Sequence, residues 1–410
     1  MKTRGWPVIK WIKAKPRFIY GILKKKKKFG GIFLKFSVKR TEFLKVLKNV
    51  QIAVSSKSTI AILTGIKLEA DNQGLTLTGS NSDISVESYL SVTDEGADLV
   101  IDEPGQIVLQ PARLFANIVQ KLPDTHFKVN VSQGQQTQIT SASASFTING
   151  IDAMSYPHLP DIDLEESFTL PVDLFKNMIN QTVIAVSNHE SRPILTGVNL
   201  SLKEGRLKAV ATDSHRLSQR SIQLESAPDI SFDIVIPGKS LTELTKLMDA
   251  DEEVRVAISD NQILFALSTS QFYSRLLEGK YPDTDRLIPG DTPTEITLDT
   301  KELQGAVDRA SLLSHEGKNN VVQLTVTADK LEIEGQSAEV GHVQEEIDFG
   351  HFQGQDLTIS FNPDYLKEAL ATFGQGEIKL KLVSTLRPFV IVPSEDQGDF
   401  IQLITPIRTA

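Results

Sequence analysis

The sequence predicts an α+β protein of three repeated domains, each with two helices packed on antiparallel sheets, and two observations predict it. Residues Ile52–Leu68 (IAVSSKSTIAILTGIKL) and Ile184–Leu200 (IAVSNHESRPILTGVNL) agree at nine of seventeen positions without a gap, at an offset of 132 residues. A second marker occurs three times, as IVLQPARL ending at Leu114, IVIPGKSL ending at Leu241 and ISFNPDYL ending at Leu366. Its prolines, Pro111, Pro237 and Pro363, lie 126 residues apart both times. Solenoids and propellers repeat every ~20–50 residues, so a period this long makes each unit a whole domain. The repeating body is thereby divided at 34–160, 161–289 and 290–410, each part large enough to bury its own core.

The elements follow one order in every repeat: helix, strands, helix, strands. The first helices are predicted over Lys39–Val54, Pro171–Val186 and Thr300–Leu313. Phe43, Leu44, Leu47 and Val50 recur at helical spacing in the first, as Leu174, Phe175, Met178 and Ile179 do in the second, which gives each an apolar face to bury. The second helices are predicted to start at the spaced prolines, over Pro111–Leu122, Pro237–Met248 and Pro363–Phe373. A proline at the first helical position loses nothing there, because the first N–H donors of a helix have no intrahelical partner. Between the helices, stretches such as Leu75–Gly79, Leu207–Ala211 and Leu331–Gly335 read as antiparallel strands with one wet face, bounded by Gly, Asn and Asp turns. The joints YPHLPD from Tyr156 and YPDTDRLIP from Tyr281 are proline-stiffened, which suits fixed domain angles.

Composition sets one segment apart. Residues 1–30 carry eleven Lys and Arg, no Asp or Glu and both tryptophans; removing those eleven charges from the net −9 leaves −20 for residues 31–410. A nucleic-acid or membrane arm has this composition. The favoured reading instead sets residues 1–33 aside as a basic leader foreign to the native protein. Gly30-Gly31 can be encoded by bases resembling a ribosome-binding site just before Leu34, and Leu34 can be a TTG start codon. Intact-mass measurement of protein made from the native gene is expected to find no product beginning at Met1, and such a product would end this reading. The chain has no cysteine, hence no disulfide framework, thiolate nucleophile or thiolate zinc site. No uninterrupted apolar run approaches the ~18–20 residues that span a bilayer, which points to a cytoplasmic protein with no membrane partner.

The repeat, AVSSKSTIAILTG, ATDSHRLS at Ala211–Ser218, LLEGKYPDTDRLIP at Leu276–Pro289, SFNPDYL at Ser360–Leu366 and QLITPIRT at Gln402–Thr409 together resemble the bacterial DNA polymerase III beta subunits, the sliding clamps. The wording is most similar to clamps of low-GC Gram-positive bacteria, and the likeness covers residues 34–410. The resemblance implies three DNA-clamp domains and a head-to-tail homodimeric ring, helices inside and sheets outside, that encircles double-stranded DNA without reading its sequence. It implies a non-catalytic processivity factor with no cofactor. Its partners would be the replicative polymerase catalytic subunit, the clamp loader, and repair polymerases, mismatch-repair proteins and ligase-type clients.

A net charge of −20 does not oppose this, because binding depends on where charges sit. The helices expected to line the hole carry Lys39, Arg40, Lys45, Lys48, Arg113, Lys121, Lys176, Lys239, Lys246, Arg309 and Lys367. Phosphate contacts alone are weak and sequence-blind, which permits sliding. By resemblance, Lys57, His189, Arg192 and Lys239 are the DNA contacts. Asp213, Ser214 and His215 invite a hydrolase reading, yet consecutive residues of an extended segment point to opposite faces and cannot form a relay. There is no HExxH and no Walker-type loop, so no metal site or catalysis is expected.

The resemblance gives that segment another use, as part of a cleft between the second and third domains for a client peptide of Gln followed by Leu and Phe. One wall would comprise Leu195, Thr212, Ser214, His215, Arg216 and Leu217, with Pro282, Arg286 and Leu287 from the joint. The other would comprise Asn362, Tyr365, Leu386, Pro388, Leu403, Thr405, Pro406, Ile407 and Arg408. Taken singly, Leu195, Leu217 and Leu403 read equally as core. Asn319 stands where other clamps carry an aromatic at the pocket rim. The family's dimer contact implicates Leu312 and Leu313 against the helix bearing Phe115 and Ile118, with strand edges pairing across the same joint. An enzyme with a site between domains, and an open scaffold of three repeats, remain as rival classes; a closed dimer in solution separates the scaffold from the ring.

Overall fold

The computed structural model describes residues 33–164, 167–224, 230–248, 253–316, 320–395 and 399–408. Asn319 and the leader up to residue 32 lie outside the described residues. The described residues hold six α-helices, two per repeat: α1 (Arg40–Gln51), α2 (Ala112–Lys121), α3 (Val172–Thr182), α4 (Gly238–Thr245), α5 (Thr300–His315) and α6 (Pro363–Ala371). The first helices of repeats one and two end before their predicted limits. Past Thr182 the chain tightens into a 3-10 turn, Val183–Ala185, the usual way to satisfy the last carbonyls of a helix.

The spaced prolines all mark helix starts, but only Pro363 occupies the first helical position. Pro111 and Pro237 are N-caps with extended ψ of 139° and 131°. The reason is visible at Pro237, which still pairs with Gly197 as the last residue of its strand. Its ring fixes φ without dictating ψ, so it serves the strand and the cap at once.

The chain folds into two compact units, so the repeats do not coincide with separate bodies. The first holds the N-terminal repeat through Asp161 and includes Leu264–Tyr273; the second holds most of repeats two and three. In the first unit, antiparallel pairing runs through strands Ile84–Ser91, Gly74–Ser80, Ile66–Ala70, Gly105–Leu109, Ala144–Ile151, Gln136–Ser141, His126–Val131, Leu34–Lys39 and Val100–Glu103. Its core contains four fully enclosed phenylalanines, with Phe43 of α1 lying 5.0 Å from Phe127, 6.0 Å from Phe115 and 6.2 Å from Phe36, ring centre to ring centre.

In the second unit a nine-stranded sheet runs Phe232–Pro237, Gly197–Lys203, Arg206–Thr212, Arg216–Gln223, Phe400–Ile404, Phe389–Pro393, Glu377–Leu382, Thr294–Asp299 and His351–Gln353. It passes from repeat two to repeat three where Arg216–Gln223 pairs with Phe400–Ile404, Leu217 standing opposite Leu403. That ladder, and the apolar cluster of Val210, Leu217, Val390, Val392, Ile401 and Leu403 over it, fuses the two repeats into one body. A four-stranded sheet, Gly341–Glu346, Leu331–Ser337, Val322–Val326 and Leu357–Phe361, completes repeat three. Gly335 passes under α5, where a Cβ would collide with the carbonyl oxygen of Ala310. Gly79 does the same beneath Val50 of α1, so two repeats need glycine at one place for one reason.

Candidate peptide cleft and nucleic-acid contacts

The predicted cleft residues gather around the ladder joining repeats two and three, but in two layers. Leu195, Leu217 and Leu403 are 4 %, 1 % and 4 % exposed. Leu217 and Leu403 seal the joint and Leu195 is buried in the turn Pro193–Thr196, which is the core reading of these leucines. The apolar surface open to a ligand comes from Leu287, Leu386 and Ile407, at 50 %, 56 % and 36 % exposure. Pro282, Arg286 and Arg408 are also exposed, while Pro388, Thr405 and Pro406 are partly buried. Arg286 is held by Asp283 at 2.8 Å, and the C-terminal segment is pinned where the N–H of Ile407 donates to the Ser360 carbonyl at 2.7 Å.

At the polar end of the predicted cleft lies the loop from Thr212 to Leu217. Asp213 accepts from the backbone N–H groups of His215 and Arg216, at 2.9 and 3.0 Å, and from Arg216 Nε at 3.1 Å. Thr212 Oγ1 donates to the Arg216 carbonyl at 2.7 Å. Ser214 sits at φ +80°, the left-handed region that costs a residue with a Cβ about 1–2 kcal/mol. The Arg216 guanidinium lies 4.6 Å over the Tyr365 ring and also pairs with Glu368. His215 stacks on the same ring at 6.3 Å. Burial, then the Asp213 carboxylate, holds the Tyr365 phenol above its ordinary range. Asn362 caps α6 by accepting from Asp364 N–H at 2.9 Å, which places Tyr365 on the first turn. With Asp213 engaged by backbone and Arg216, and Ser214 Oγ accepting from Arg192 at 3.3 Å, these three residues form no Ser–His–Asp relay.

The four predicted DNA contacts are all exposed. Lys57 stands on a first-unit loop. In the second unit, His189 and Arg192 share the turn Ser187–Pro193, and Lys239 opens α4. Four of the eleven helix cations are answered within the chain: Lys45 by Glu42 at 2.7 Å, Lys246 by Glu243 at 2.7 Å, Lys367 by Asp308 at 3.0 Å, and Arg309 by Glu345. Arg40 and Lys176 donate to the carbonyls of Gln120 and Met248, each at 2.9 Å. Lys39, Lys48, Arg113, Lys121 and Lys239 have no ion pair among the described residues, so they keep the charge a phosphate would use.

Two dimer residues need correction. Phe115 is fully enclosed and Ile118 is 7 % exposed, because the face of α2 that carries them packs on α1. Neither has surface to offer a second chain. Leu312 is 67 % exposed and Leu313 partly buried. Asp213 was singled out from sequence only for a hydrolase reading, not as the carboxylate that shapes the turn, and Glu368 and the exposed Phe146 on strand Ala144–Ile151 were not singled out at all. The Asp-Ser-His-Arg turn held a signal for the first, since Asp readily caps backbone N–H groups two and three residues on.

Comparison with known proteins agrees with this geometry. Family models described as DNA polymerase III beta subunit match the chain in three parts, the N-terminal domain at residues 34–160, the central domain at 169–283 and the C-terminal domain at 285–408. The beta sliding clamp of Bacillus subtilis is 46 % identical over 379 residues, 92 % of this chain and 100 % of the relative. That of Staphylococcus aureus is 42 % identical over 378 residues, with the same coverage. The solved sliding clamp from Bacillus subtilis superposes with a TM-score of 0.89 and the beta subunit from Streptococcus pyogenes with 0.88, at 46 % and 42 % identity, each covering 92 % of this chain and 100 % of the other. With all three domain models matched in order, the chain belongs to the DNA polymerase III beta subunit family, the bacterial sliding clamps.

Proposed function

We propose that this non-catalytic processivity factor works as a head-to-tail homodimeric ring around duplex DNA and holds its clients in the cleft of the second unit. The observation that carries the ring is a strand edge. Within the chain, Arg216–Gln223 of repeat two pairs with Phe400–Ile404 at the end of repeat three. The repeat-three counterpart of the first of these strands is Gly341–Glu346, which pairs only with Leu331–Ser337 among the described residues. The repeat-one counterpart of the second is Ala144–Ile151, whose first residues pair with Gln136–Ser141 on one side alone. Joining these two edges between protomers repeats the internal joint, and a heterologous contact that closes makes a ring. Leu312 and Leu313 on α5 would meet Phe146, 38 % exposed, in the role expected of Phe115.

In this reading each protomer contributes clamp domains bounded near 34–160, 161–289 and 290–410. Lys57, His189, Arg192 and Lys239 touch phosphate. The clamp loader, the polymerase and repair clients compete for the cleft lined by Leu287, Leu386 and Ile407, and the protein works in the cytoplasm. Apolar walls supply desolvation while His215, Arg216 and Asn362 orient the peptide. Protein loaded on circular duplex DNA is expected to stay bound at about 0.5 M salt, where phosphate contacts alone are screened, and to leave when the circle is cut. Release from the intact circle by salt would show that nothing is encircled.

A further inference from the structure

The loop that forms the polar end of the cleft is strained at Ser214, so something must hold it. The joint between repeats two and three passes beside it, and Tyr281 points its phenol oxygen at the loop, accepting the backbone N–H of Thr212 at 3.0 Å. Thr212 is 5 % exposed and is the last residue of its strand, paired with Leu217. Its hydroxyl also accepts the N–H of Ser214 at 3.2 Å, and the His215 carbonyl accepts Thr405 N–H at 2.9 Å. Tyr281 therefore stands at the root of a series of bonds that ends on both walls of the cleft. Burial holds its phenol up to about 12, so it stays neutral across the physiological range.

The first unit contains the same device without the cleft loop. Tyr156, in the corresponding Tyr-Pro joint, is 4 % exposed and brings its phenol within 3.5 Å of the Thr78 carbonyl, beside Ser80, the counterpart of Thr212. The turn that follows is capped by Asn81, which accepts from the N–H groups of Asp83 and Ile84 at 2.8 and 2.9 Å. The residue matching Ser214 is Ser82, and it is not at positive φ. Among the described residues, only in the second unit does the tyrosine brace a strained loop.

We propose that Tyr281 is a positioning residue for client recognition, its phenol oxygen fixing the Thr212 backbone and so presetting the Asp213–Leu217 loop in the shape that receives the peptide. This rests on the reading of the cleft given above. Without the phenol, the buried Thr212 N–H loses its partner and the loop can relax away from the left-handed conformation at Ser214, leaving a smaller fraction of molecules ready to bind.

The test compares the full-length protein with Tyr281→Phe and Tyr156→Phe, titrated with a synthetic Gln-Leu-x-Leu-Phe peptide carrying alanine at x. Tyr281→Phe is expected to raise Kd about five- to tenfold, through slower association with dissociation little changed, as a reduced competent fraction requires. Tyr156→Phe removes the matching contact elsewhere and is expected to bind as the unaltered protein does. Adding Ser214→Gly to Tyr281→Phe should recover at least half of the lost affinity, because glycine adopts positive φ freely. Equal affinity for Tyr281→Phe and the unaltered protein, equal losses in both tyrosine variants, or no rescue by glycine would each overturn the positioning role. Failure of the unaltered protein to bind the peptide would instead overturn the cleft assignment, and this inference with it.

Discussion

Leu312→Asp is expected to convert the dimer into monomers that keep their fold. In the single chain Leu312 is mostly solvated, so the carboxylate costs the isolated protomer almost nothing. At the proposed joint the same carboxylate loses water with no cation supplied, a penalty of about 3–5 kcal/mol, which raises the dissociation constant about 10^2- to 10^4-fold. Adding Leu313→Asp deepens the effect but also taxes the protomer, since Leu313 is partly buried. Sedimentation at micromolar concentration reads the outcome directly. The monomer should melt near the temperature of the protomer fold, bind client peptide normally and slip off circular DNA. A variant that remains dimeric would place the interface elsewhere and withdraw the strand-edge argument.

Damage to the cleft is expected to have the opposite signature, an intact ring with no clients. The change should spare the buried leucines, because replacing Leu217 or Leu403 would open the ladder that joins two repeats. Leu287→Ser together with truncation before Pro406 removes two exposed apolar contacts and leaves that ladder alone. Burying a large apolar side chain fully is worth about 1.5–3 kcal/mol; these are partly exposed already, so about 1–1.5 kcal/mol each is lost. A peptide bound at about 1 μM, or about −8 kcal/mol, would weaken about 30- to 150-fold. Calorimetric titration of the Gln-Leu-x-Leu-Phe peptide measures this, and retention on circular DNA should be unchanged. Undiminished binding would exclude the cleft as the client site.

Repetition made the fold legible. Two helices and alternating strands recur in each repeat, and each copy checks the others, so all six helices fall where the spacing puts them. Helix ends were less legible because a single turn, as at Val183–Ala185, is too short for the ~3.0-residue period of a 3-10 helix to part from the ~3.6 of an α-helix. The cleft was legible as a set of residues but not as layers. Leu217 and Leu403 look like Leu287 and Leu386 in sequence, and only the register of the inter-repeat ladder sends one pair inward. Phe115 misled for a similar reason: an amphipathic helix shows that one face is buried, not whether its own domain or a partner buries it. Sequence also could not show which helix cations are spent on neighbouring carboxylates, since Arg309 meets Glu345 across 36 positions.

A newly made chain meets other copies of itself before it meets a correctly oriented partner, and Gly341–Glu346 is then an open template for wrong pairing. Fibrils grow by stacking identical strands in parallel register. In that arrangement Glu345 falls on Glu345 and Glu346 on Glu346 in every layer, and like charges set directly opposite repel. The neighbour proposed for it, Ala144–Ile151, carries no Asp or Glu at all. At the proposed joint the same two carboxylates therefore face a neighbour without like charge, while stacking of identical chains sets them against each other.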